Sequence, residues 1–115
     1  MTTTFRQRQI ERKIVEIKQA LAGLGPLHPG SLSRQYNVCG KPGCCCKDPK
    51  NPSRHGPYFK VSYAYRGRFS SRFVSRDQAK TVRVELANYK QLRELTDKWV
   101  GLSLRLAKEK RKSMA

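Results

Sequence analysis

The stretch YFKVSYAYRGRFSSRFVSRDQ, residues 58–78, decides how this chain is read. Phe59, Val61 and Tyr63 alternate with Tyr58, Lys60 and Ser62, and further on Phe69 and Phe73 alternate with Arg68 and Arg72. Period-two alternation on either side of a Gly reads as a β-hairpin over 58–74. Two registers compete. A two-residue Arg66-Gly67 turn sets Phe69 beside Ala64 on the polar face and splits the apolar set. A three-residue Tyr65-Arg66-Gly67 loop places Gly where a type I turn with a G1 bulge needs positive φ. It pairs Phe59 with Phe73 and Tyr63 with Phe69, so that the large apolar groups share one face. The second register is therefore expected. In it Lys60, Ser62, Ala64, Arg68, Ser70 and Arg72 line the opposite face, with Lys60 directly across from Arg72. Like charges so placed destabilise a bare sheet, and an anion resting there would relieve them.

Outward from the hairpin, Ser75-Arg76-Asp77-Gln78 has the pattern of a capping box, with Ser75 as N-cap and Gln78 at N3. Apolar residues then step by three or four from Ala79 through Val82, Leu86, Tyr89, Leu92, Leu95, Trp99 and Leu102 to Leu106, predicting a long helix over 76–107. Residues 108–115 read as a basic tail. At the other end Ile10, Ile14, Ile17, Leu21 and Leu24 form a narrow stripe that predicts a helix over 5–24. Gly25-Pro26 and Pro29-Gly30 end it. Residues 31–57 read as a Cys-bearing knuckle and loop, with Ser31–Val38 able to add a third strand. The expected fold is α+β in a single domain, 1–115. It comprises an N-terminal helix, a Cys/His metal knuckle, a small antiparallel sheet and a long C-terminal helix.

Over 115 residues Lys and Arg outnumber Asp and Glu by 25 to 8, for a formal net charge of +17. Such self-repulsion calls for an anionic partner, and nucleic acid is the usual one because each docked cation releases condensed counterions. An anionic membrane surface or a ribosome would satisfy the same field. Neither an apolar leader nor a run of about 18 apolar residues is visible, so the expected location is cytoplasmic, in association with the nucleoid. In a reducing compartment clustered cysteines more often mark metal than disulfides.

Cys39-Gly40-Lys41-Pro42-Gly43-Cys44-Cys45-Cys46 is such a cluster, and the next imidazole is His55. Cys39 and Cys44 lie at a spacing by which one tight turn presents two thiolates to zinc. Cys46 points with Cys44, and His55 follows a Pro-containing loop. A closed structural zinc site of Cys39, Cys44, Cys46 and His55 is expected, with Cys45 an alternative to Cys46 or His55.

The same stretch, CGKPGCCC followed by HGPY and an aromatic strand, resembles a family of small prokaryotic domains with the pattern CGKPGCxC…HGPY. Its members are often described as transposase-like or integrase-like. The match covers roughly residues 30–100. The middle position of CxC in that pattern is usually not Cys, so the resemblance implies that Cys45 stands outside the site. It also implies a mobile-element setting. The strand–turn–strand–capped helix order further resembles the three-stranded AP2-like DNA-binding domains attached to some integrases, an analogy of fold alone.

The expected function is a nucleic-acid-binding zinc-knuckle accessory protein of a mobile element or recombination system, with DNA favoured over RNA. Lys41, Lys47, Lys60, Arg66, Arg68 and Arg72 would hold the phosphates. The alternative is a metal-stapled module that assembles a larger recombinase or ribonucleoprotein. Trp99 and the Leu102–Leu106 stripe suggest a homodimer or a recombinase partner. An enzyme is disfavoured, because five of the eight acidic residues lie along the long helix and its tail and the two histidines fall in different loops.

Overall fold

The computed structural model describes residues 3–37, 43, 44 and 55–114, and at Asn37 and His55 the backbone alone. Its elements are α1 (Phe5–Ala22), β1 (Ser31–Asn37), β2 (His55–Tyr65), β3 (Arg68–Val74) and α2 (Arg76–Met114). The helix–sheet–helix order of an α+β fold is thus present, with the third strand. The residues group into two compact units. One comprises the chain up to Leu27 together with Ala87 onward, and the other runs from His28 to Leu86.

In the helical unit, Thr4 caps α1 with a reciprocal pair of bonds. Gln7 N donates to Thr4 Oγ1 at 3.2 Å, and Thr4 N donates to Gln7 Oε1 at 3.4 Å. The Ile10, Ile14 and Ile17 stripe is buried, as is Leu95 of α2. Gln7 is buried with them because its amide Nε2 donates to the Glu109 carbonyl and to Ser113 Oγ. Lys18 Nζ lies 5.2 Å from the centroid of the Trp99 ring, and Asn88 Nδ2 donates to the Pro26 carbonyl at 2.7 Å. Contacts that descend in α2 as they climb from Gln7 define an antiparallel helix pair. Trp99 is half-buried within it. The helix continues to Met114 through the residues expected to form a basic tail. Lys, Arg and Glu are good helix formers, and the bond from Gln7 anchors that last stretch.

The sheet unit has strand order β1-β2-β3, antiparallel throughout. Phe59 and Val61 of β2 are buried on the face covered by Ala79 and Val82 in the first turns of α2. The capping box forms as expected: Gln78 N donates to Ser75 Oγ at 3.1 Å, and Ser75 N to Gln78 Oε1 at 2.8 Å.

The hairpin register differs from the expected one. Tyr65 pairs with Arg68, Ala64 with Phe69, Lys60 with Phe73 and Phe59 with Val74. The connection is therefore the two-residue Arg66-Gly67 turn, with φ of 51° and 76°. Positive φ at both central residues is the signature of a type I′ turn, whose twist matches that of the strands. The three-residue alternative would have put Gly alone in that region, but here Arg66 adopts it too. The pairings of Phe59 with Phe73 and of Lys60 with Arg72 are both corrected: Lys60 lies opposite Phe73, and Arg72 opposite Val61.

The metal knuckle is corrected as well. Among the described residues no group of three or more His, Cys, Asp or Glu side chains is placed to hold a metal ion. Cys44 is described and half-buried, next to a turn at Gly43, while Cys39, Cys45 and Cys46 lie outside the described residues. His55 belongs to no loop: its backbone opens β2 and pairs with Asn37. The described residues therefore support neither a zinc ion, nor the knuckle as a fold element, nor the two functional readings built on it. No helix among the described residues is long and apolar enough to cross a membrane.

Candidate functional site

The strand pairings sort the sheet's side chains into two faces. Leu32, Arg34, Phe59, Val61, Tyr63, Ser70, Arg72 and Val74 share the face on which α2 packs. Ser31, Ser33, Gln35, Tyr58, Lys60, Ser62, Ala64, Phe69, Ser71 and Phe73 share the other. On this second face Phe69 is 74% exposed, Phe73 59% and Tyr58 42%. Full burial of a Phe side chain is favourable by about 1.5–3 kcal/mol, so two largely open rings on one face of one strand are uncommon and point to a contact surface.

The rings are also organised. Tyr58 meets Phe73 edge to face, with centroids 6.4 Å apart and planes at 74°. Lys60, next on the same strand face, holds its Nζ 5.8 Å from the Phe73 centroid. Ser33 Oγ donates to the Lys60 carbonyl at 3.3 Å, tying β1 to β2 at that level. The pair Ser62 and Ser71 stands between Lys60–Phe73 and Ala64–Phe69. An aromatic step, a cation and a rung of hydroxyls therefore run along one open surface.

None of the three strands contains an Asp or a Glu. The acidic residues among the described part of this unit are Asp77 and Glu85, both on α2. Cations occur on every strand. Arg34 and Arg83 place their guanidinium carbons 5.8 Å and 5.4 Å from the Phe59 centroid, while Arg66 at the turn lies 5.3 Å from the Tyr65 ring. Stacking on rings fixes a guanidinium without neutralising it.

A family model described as a domain of unknown function, DUF6788, matches residues 7–84. The chain belongs to that family. The DUF6788 segment takes in all three strands and most of α1, and its description names no activity. No curated protein and no solved structure matches the chain.

Of the expected phosphate-binding residues, Lys60 lies at the centre of the open face and Arg66 at the hairpin tip. Arg68 and Arg72 are exposed on the edge strand but belong with Ser70 to the α2 side of the sheet, so they do not share the face of Lys60, Ser62 and Ala64 as expected. Arg72 instead lines a groove of about 380 Å³ with His28, Tyr63, Gln78, Thr81 and Glu85. In that groove His28 donates from Nδ1 to the Pro29 carbonyl at 2.6 Å and meets the Tyr63 ring edge-on. Lys41 and Lys47 lie outside the described residues. Sequence reading missed Phe69 and Phe73 as surface groups, having placed both on the face of Phe59 and Tyr63, and it missed Arg34.

Proposed function

We propose that this chain binds nucleic acid through the open face and the edges of its sheet, with Lys60 as the central phosphate contact. The observation that carries this reading is a three-stranded sheet without a single acidic residue, open on a face that holds Lys60 among exposed rings. A phosphate backbone crossing it meets Lys60 at the centre and Arg66 at the turn, with Arg34, Arg68 and Arg72 on the other side of the outer strands, and no repelling carboxylate on any strand. The chain-wide excess of 25 basic over 8 acidic residues extends the same attraction to longer range. Phosphate contact by itself is indifferent to DNA or RNA.

The test is fluorescence anisotropy with labelled DNA and RNA across a salt series. The dissociation constant is expected to rise steeply with salt, each neutralised phosphate adding about 0.7–0.9 to the logarithmic slope. Lys60→Glu is expected to weaken binding about tenfold or more and to flatten that slope by at least about 0.7. Binding indifferent to salt, absent for every nucleic acid, or unchanged in Lys60→Glu contradicts the proposal.

A further inference from the structure

We infer that the ligand of this face is single-stranded nucleic acid, with unpaired bases stacking on Phe73 and Phe69. The inference rests on the proposed phosphate binding and adds the class of ligand. A duplex keeps its bases stacked on one another and offers a flat ring no free base face, whereas an unpaired base does. The register supplies two such rings where burial would have supplied none. Phe73 is braced edge-on by Tyr58 and has the Lys60 ammonium beside it, so a base on the ring and its phosphate on the cation are served at one station.

Phe69 lies four residues along β3 on the same face, roughly 13 Å away at the rise of a strand. Between the two rings the surface is polar, with Ser62 and Ser71 paired across the strands. Hydroxyls there suit the sugar and base edges of an intervening nucleotide. They do not suit insertion into lipid, which favours a continuous apolar patch. A second copy of the chain on this face would bring its own net charge of +17 against the first.

The test uses the full chain and three probes: oligothymidine of about 15 nucleotides, a duplex of equal length, and inorganic polyphosphate as competitor. Wild type is expected to bind oligothymidine more tightly than duplex. Phe73→Ala and Phe69→Ala are each expected to weaken oligothymidine binding about tenfold, to leave duplex and polyphosphate binding within twofold, and to leave the circular dichroism spectrum unchanged. Phe73→Tyr, which keeps a ring, is expected to retain the affinity. If Phe73→Ala leaves oligothymidine binding intact, or weakens all three probes alike, stacking is wrong while phosphate binding stands. If wild type binds none of the three, the underlying proposal fails with it. Two further outcomes overturn the inference in favour of another occupant, provided oligothymidine affinity stays unchanged in Phe73→Ala. One is loss of binding to phosphatidylserine vesicles in that variant, and the other is conversion of a sedimenting dimer to monomer.

Discussion

Phe59→Ala is expected to lower the free energy of unfolding of the sheet unit by about 3–5 kcal/mol, whereas Phe73→Ala is expected to lower it by no more than about 1 kcal/mol. Phe59 is 5% exposed, with a guanidinium from Arg34 and another from Arg83 near its ring. Removing it leaves a cavity under α2 and strands both cations beside it. Phe73 sits on the opposite face, in water. The contrast also tests the register, because a three-residue loop would pair these two rings and bury both. Urea denaturation followed by circular dichroism separates the cases. Comparable losses in the two variants would mean that the Arg66-Gly67 turn has been misplaced.

A second large effect is expected at Gly30. Its φ is 102°, and a Cβ built there would stand 2.0 Å from the Ser62 carbonyl oxygen and 2.7 Å from Tyr63 Cβ. The overlap is with backbone where the chain enters β1, so no side chain can swing clear. Gly30→Ala is expected to cost at least the 1–3 kcal/mol or so of a forced backbone conformation, and to separate β1 from β2 at that end. Gly67 provides the control. Its φ is 76° and nothing lies within 4 Å of a Cβ there, so Gly67→Ala should cost only about 1–2 kcal/mol for the left-handed conformation. Equal losses in the two variants, measured by the same denaturation, would show that β1 does not approach β2 as closely as described.

The helices were legible because their signals are local. The Ile10, Ile14 and Ile17 stripe and the Ser75–Gln78 capping box each lie within a few residues. The hairpin register depended instead on a choice between two turns, and counting apolar groups per face chose wrongly. That rule fails here because the face away from α2 carries exposed rings. A signal for the right register was present. In the Ser75 cap, Val74 is the residue before the N-cap and Ala79 the fourth helical residue, the positions of a hydrophobic staple. Ala79 is wholly buried and Val74 half-buried. A Val74 turned toward α2 obliges Phe73, its neighbour in the strand, to face away. The knuckle rests on spacing within 39–55, and spacing does not register that the backbone of His55 opens a strand and not a loop.

That placement also changes which residues the proposed binding would use. Lys60 shares its face with Tyr58, Phe69 and Phe73, while Arg68 and Arg72 lie on the helix side of the sheet. In the proposed site, rings would supply contact area and a few cations attraction. Such a surface tolerates many sequences, because every base has a stacking face.

The most direct measurement is an NMR titration of the full chain with oligothymidine, following the ring protons of Tyr58, Phe69 and Phe73 and the backbone amides throughout. Upfield movement of the three ring signals is expected, with amide changes concentrated at Lys60, Ser62, Ser71 and Phe73 and the α1 amides unmoved. Shifts confined to α1 and residues 87–114, with the sheet rings stationary, would contradict the assignment of binding to the open face.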